Sequence, residues 1–99
     1  MATFIVLANW TDQGLRNVEE SPRRLDAAKK SLEDMGGQFR SFYMTVGVYD
    51  LMLIFDAPDD AVAARFLMMW GKGGNVRTST LRAFPESAYR EIMNSVGGK

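Results

Sequence analysis

VGVYDLMLIFDAPDD, residues Val46–Asp60, is the stretch whose reading decides the fold. A turn containing Gly47 leads through Tyr49-Asp50 into Leu51–Phe55. There Leu51, Leu53 and Phe55 fall on one face of a strand, and Met52 and Ile54 on the other. Both faces are apolar, which predicts a central strand covered on each side. Pro58-Asp59-Asp60 ends the strand and caps a helix whose apolar stripe, Val62, Phe66, Met69 and Trp70, closes at Gly71.

Working outward, Thr3–Trp10 alternates between two sets that are both mostly apolar, so it too reads as a strand covered on both sides. TDQGLRNVEES, from Thr11, reads as a short helical turn or an ordered loop, with Thr11 or Asp12 as a cap and Gly14 weakening it. Ser21 as N-cap and Pro22 in the first turn open a helix to about Met35, with Leu25, Ala28, Leu32 and Met35 on one side and Gly36-Gly37 as its stop. Arg23 and Arg24 oppose the helix dipole at that end, a local misfit that solvation would relieve. Gln38–Val46 alternates Phe39, Ser41, Tyr43 and Thr45 against Arg40, Phe42, Met44 and Val46, the pattern of a more peripheral strand. Asn75–Phe84 reads as a last strand, and Pro85–Val96 as a C-terminal helix carrying Ala88, Tyr89, Ile92 and Met93.

The order strand, helix, strand, strand, helix, strand predicts an α+β, ferredoxin-like βαββαβ sandwich followed by a C-terminal helix. Two helices cover one face of a four-stranded sheet. The strands Phe4–Trp10 and Leu51–Phe55 are apolar on both, so the uncovered face is expected to meet a second copy of the chain in a homodimer.

The chain has 99 residues, 46% hydrophobic and 24% charged, which predicts one folded domain over residues 1–99 and excludes disorder. Its formal net charge is zero, so neither nucleic acid nor an anionic membrane surface is an expected partner. Cysteine and histidine are both absent, which removes disulfides, thiolate nucleophiles, Ser-His-Asp chemistry and the usual ligands of zinc, iron and haem. No metal and no cofactor is expected. MATFIVLANW lacks the basic region and cleavage site of a signal peptide, and no apolar run reaches transmembrane length, so a cytoplasmic location is expected.

GVYD, Gly47–Asp50, fits the Gly-x-Tyr-Asp signature of the GYD domain family. ESPRRLDAAKKSLEDMGG, APDDAVAARF and GNVRTSTLRAF resemble that family's other blocks in the same order. The resemblance covers essentially the whole chain and implies a dimeric α/β barrel of the ferredoxin-like class. Gly47–Phe84 is also similar, more distantly, to the effector-binding domains of leucine-responsive type regulators, which bind amino acids or related molecules at subunit interfaces. No helix-turn-helix domain precedes it here, so transcriptional activity is not carried over.

Asp50, beside Tyr49 at the entry to the central strand, is the first candidate site. It either locks the turn, with Arg77 or the turn amides as partners, or serves a ligand or a reaction as acceptor or general base. Arg77 points to the opposite face from Thr78, Thr80 and Arg82. Each arginine is suited to gripping a ligand carboxylate or to pairing with an acid across a dimer. Trp10 and Tyr43 wall a pocket on one reading and fill the core on the other. Met44, Met52, Met68 and Met69 line an adaptable pocket or fill an interface. GKGGN, Gly71–Asn75, lacks the Gly-Lys-Ser/Thr ending of a phosphate loop and follows a helix instead of opening one.

The ligand-binding set is therefore Trp10, Tyr43, Tyr49, Asp50, Arg77, Thr78 and Arg82. The leading expectation is a dimer that binds a small organic molecule between sheet and helix or at the subunit interface. The alternatives are a cofactor-independent enzyme, similar to small monooxygenases and isomerases of the dimeric α/β-barrel class with Asp50 or Tyr49 moving a proton, and a pure interaction module.

Overall fold

A computed structural model describes residues 1–98. Its elements run β1 (Ala2–Trp10), a short α1 (Asp12–Arg16), a 3₁₀ turn (Val18–Glu20), α2 (Ser21–Asp34), β2 (Gln38–Met44), β3 (Leu51–Ala57), α3 (Asp60–Gly71), β4 (Val76–Ala83) and α4 (Glu86–Val96). The four strands form one antiparallel sheet in the order β2-β3-β1-β4. This is the ferredoxin-like arrangement, with β1 and β3 central as their two-sided apolarity requires.

Helices α2 and α3 cover one sheet face. Phe4 and Val6 of β1, Leu53 and Phe55 of β3, Ala28 and Leu32 of α2, and Ala63 and Phe66 of α3 make the main core. Phe55, Phe66, Leu32, Leu53 and Val6 are its largest fully buried side chains. An aromatic column runs through it. Phe4 stacks on Phe55 at 5.3 Å, Phe55 meets Phe66 edge-on at 5.0 Å, and Phe66 stacks on Trp70 at 6.2 Å.

Local chemistry places the helices. Asp59 caps α3 by accepting from the Val62 amide at 2.9 Å. Helix α2 differs from the sequence expectation by one residue. The 3₁₀ turn runs directly into it, so Glu20 occupies the N-cap without a side-chain bond and Ser21 is already helical. The Thr11 hydroxyl accepts from the Gly14 amide at 3.1 Å and caps α1. Gly14 does more than weaken that turn. A Cβ there would lie 2.1 Å from the Asn75 carbonyl oxygen, so only glycine lets α1 close on the loop before β4.

Strand β2 departs from simple alternation. A bulge between Phe39 and Ser41 resets the register, pairing Phe39 with Phe55 and Phe42 with Leu53. Both phenylalanines therefore pack on the helix-side core, where strict period-two alternation would set them on opposite faces. Helix α4 buries no residue, and Tyr89, Ile92, Met93 and Val96 are exposed along it. The radius of gyration of 15.1 Å exceeds the ~13 Å of a compact chain this size, as a projecting helix requires.

Candidate functional site

Three regions concentrate chemistry: the loop at Asp50, the open face of the sheet, and a crevice between α2 and α3. At the first, the Asp50 carboxylate accepts from the backbone amide of Trp10 at 3.1 Å. The Asp50 amide donates to the Ala8 carbonyl at 3.0 Å and to Asn9 Oδ1 at 3.2 Å, and its carbonyl accepts from the Thr45 amide at 2.8 Å. The partner of the carboxylate is thus the last residue of β1, not Arg77 or a turn amide. The Tyr49 carbonyl accepts from the Thr45 hydroxyl at 2.5 Å. Gly47, with φ at 152°, turns the chain in open space ahead of them.

The remaining sequence candidates divide between the two faces. Trp10 pairs with Val76 and packs on the helix side, whereas Tyr43 pairs with Met52 at the exposed edge of the other face. They do not wall a common pocket. Thr78 pairs with Ala8 on the helix side, and Arg77 pairs with Asn9 and is exposed on the open side. Arg77 shares a shallow depression with Trp10 and Gln13. Arg82 pairs with Phe4, at the opposite end of β1 from Asp50. Its guanidinium lies 5.6 Å from the Phe4 ring centroid and 4.5 Å from that of Phe84. Around GKGGN, Thr11 donates to the Gly74 carbonyl at 2.5 Å and Gln13 to the Gly73 carbonyl at 3.0 Å. The loop thereby offers carbonyls to its own chain.

The open face carries Ile5 and Leu7 of β1, Met52 and Ile54 of β3 and Leu81 of β4. Ile5 pairs with both Ile54 and Leu81, and Leu7 with Met52, so the apolar surface is continuous across three strands. At one end sits Asp56, 5% exposed, accepting from the Thr3 hydroxyl at 2.7 Å and from Nε and Nη2 of Arg40, each at 2.6 Å. Burial by itself would raise the Asp56 carboxyl. The bonds from Thr3 and Arg40, the Arg40 charge and the terminal amine outweigh it, and the carboxyl titrates below its ordinary value. Sequence reasoning missed this pair because the bulge that aims Arg40 at Asp56 leaves no mark on residue periodicity.

The crevice lies on the other side. Ala27, Ala28, Phe66, Met69 and Trp70 line a cavity of about 260 Å³ with Arg24, Ser31 and Asn75 at its polar points. Beside it a hollow of about 10 Å³ reaches Trp10, Arg24, Leu25 and Trp70. The Arg24 Nη1 donates to the Asn17 carbonyl at 2.9 Å. Nη2 of Arg24 and Nε1 of Trp10 are buried without a partner among the described residues. Each unmade bond costs on the order of 1–3 kcal/mol. Arg23, by contrast, is solvated and pairs with Glu20 at 3.2 Å. The sequence signal for Arg24 was its misfit with the helix dipole. Spacing alone could not say which of the two arginines turns inward.

Comparison with known proteins follows the fold. Residues 4–93 match the family model described as the GYD domain. The chain is 36% identical over 86 residues to the Thermus thermophilus "Glutamine synthetase and cystathionine beta-lyase binding protein", covering 86% of this chain and 90% of that one. Among solved structures, FFRP-DM1 is similar with a TM-score of 0.60 and 21% identity over 85% of this chain and all of that one. The Mycobacterium tuberculosis leucine response regulatory protein LrpA is similar with a TM-score of 0.56 and 18% identity, over 85% of this chain and 51% of the regulator. At these identities the structural likenesses establish the fold alone.

Proposed function

Because the chain belongs to the GYD domain family, we propose that it is a self-associating binding protein. Two copies pair through their open sheet faces into a dimeric barrel, and the assembly docks on an enzyme of amino-acid metabolism. The observation that carries this reading is the partly exposed apolar surface Ile5-Leu7-Met52-Ile54-Leu81, continuous across three strands and left without a helical layer among the described residues. The relative named for binding glutamine synthetase and cystathionine beta-lyase supplies the class of partner. Helix α4, with Tyr89, Ile92 and Met93 exposed, offers the assembly a second docking element.

A catalytic role for Asp50 draws less support from the geometry. Its carboxylate already holds the Trp10 amide, and Tyr49 contributes its carbonyl to the Thr45 hydroxyl. Light scattering on the 11.1 kDa chain at micromolar concentration tests the pairing. A mass of about twice the chain is expected for the wild type, and a monomer for Leu7→Asp/Ile54→Asp. A monomeric wild type would refute the sheet-face assembly. Biolayer interferometry against the glutamine synthetase and the cystathionine beta-lyase of the same organism tests the docking. Saturable binding to at least one is expected, and none to either would remove the enzyme-partner reading.

A further inference from the structure

We propose that helix α4 of each copy crosses to the other and lies over the Asp56 end of the open sheet face there, in the groove beside Ile5, Ile54 and Ala83. This rests on the sheet-face pairing proposed above and assigns α4 to the second copy instead of to the enzyme.

Helix α4 needs cover that its own chain does not give. Tyr89, Ile92, Met93 and Val96 recur at helical spacing and form one apolar face, yet each is exposed, from 40% at Ile92 to 77% at Val96. A helix of 11 residues is marginal in water without packing. Pro85 is extended, with φ at −58° and ψ at 160°, and leads α4 off the end of the sheet. The long dimension of the molecule, 53 Å, is roughly what a nine-residue strand of about 30 Å and an 11-residue helix of about 16 Å give when set nearly end to end.

A matching surface lies at the root of this arm. Ile5, Ile54, Ala83, Phe84 and Pro85 line a groove of about 460 Å³ on the open face, with the Arg40 and Asp56 pair at its side. Phe84 also borders the hollow of about 660 Å³ along Tyr89, Ile92 and Met93, so the apolar surface of the sheet meets that of α4 there. Charges beside both surfaces are already paired, Arg40 with Asp56 at 2.6 Å and Arg90 with Glu86 at 2.7 Å, and neither surface calls for a charged partner. A second copy supplies the complement by symmetry, since each brings one arm and one groove and two exchanges close the assembly. Area favours the same occupant. A homodimer draws about 65% of the roughly 800 Å² buried on each partner from apolar atoms, or about 500 Å². At about 150–250 Å² for a whole large side chain, the five apolar residues of the sheet face, four partly buried and Leu81 51% exposed, offer on the order of 300 Å². Phe84 and the exposed face of α4 carry the total past the requirement.

The sequence has no cysteine, so introduced thiols report without background. Chains carrying only Met93→Cys are mixed with chains carrying only Ile5→Cys, Ile54→Cys or Ala83→Cys, and each mixture is oxidised. A disulfide requires Cα atoms within about 7 Å, and one between two separate chains cannot come from an arm folded back on itself. A mixed disulfide, identified by mass, is expected with at least one of the three, and none with Met68→Cys, which is exposed on α3. In a second measurement, Ile92→Asp is expected to leave the fold of the single chain intact, because α4 buries no residue there, and to weaken the dimer at least tenfold in a sedimentation series over concentration. A wild-type dimer whose cysteine variants give no mixed disulfide at any of the three positions overturns the exchange of arms and leaves the sheet-face pairing standing. An Ile92→Asp chain that dimerises like wild type overturns it equally, and loss of enzyme binding in that variant would then assign α4 to the enzyme. A monomeric wild type removes the sheet-face pairing and the exchange together. Should a cysteine variant fail to fold, the Ile92→Asp series decides alone.

Discussion

Strand β3 presents two faces of nearly equal hydrophobicity to very different surroundings. Leu51, Leu53 and Phe55 are 3%, 1% and 0% exposed beneath α2 and α3, while Met52 and Ile54, on the other face, stay partly exposed. The difference teaches that apolarity in a strand records a requirement for cover without recording who supplies it. On one side the chain supplies its own helices. On the other a second copy is the proposed cover, and there the sheet carries a half-buried ion pair at its edge, the buried Asp56 with the half-exposed Arg40.

The contrast is sharpest at neighbouring residues. Phe55→Ala removes a fully buried ring from the aromatic column and is expected to cost about 3–5 kcal/mol, read by urea unfolding. Ile54→Ala is expected to cost about 1 kcal/mol or less in the dissociated chain, with a further loss that grows with protein concentration as pairing is removed. Equal and concentration-independent costs at the two positions would break the distinction between the faces.

Asp56→Ala comes next, at about 2–3 kcal/mol. It strands the Thr3 hydroxyl and Arg40, although the Arg40 side chain is 53% exposed and water recovers part of the loss. The same pair predicts a pH dependence. The folded carboxyl titrates lower than the unfolded one, so the unfolded chain holds more protons as pH drops. Stability present above about pH 4 is therefore lost progressively as pH falls through the folded value. Asp56→Asn should flatten that acid limb in a series of thermal melts. An unchanged limb would assign acid sensitivity to another group.

The smallest effect is expected at Asp50. Asp50→Asn keeps an oxygen for the Trp10 amide and loses only the charge-assisted part of the bond, about 1 kcal/mol. A melting temperature that does not move would overturn the structural reading of Asp50 and return it to the list of ligand-binding groups.

Much of this was legible from residues alone. Leu51–Phe55 marked a central strand because a short run apolar on both faces needs cover on each side, which only a central strand receives. Pro58-Asp59-Asp60 marked a helix start because an acid before a helix can reach its free amides, and Asp59 does so. The bulge at Arg40 was illegible because one inserted residue breaks the alternation on which the reading depends. Phe39 and Phe42 consequently share a face that their spacing denies them. Gly14 read as a weak helix residue, since nothing local announces that the Asn75 carbonyl will pass where its Cβ would stand.

By itself, then, the sequence determined the number, order and kind of elements and the need for cover on both sides of β1 and β3, because periodicity and capping are properties of near neighbours. Only the tertiary structure decided which polar groups meet: Asp50 with the Trp10 amide, Arg40 with Asp56, and Arg24 with Trp10 around one small hollow. Those meetings depend on register, on one bulge and on the packing of α2 against α3, over separations along the chain that no local pattern encodes.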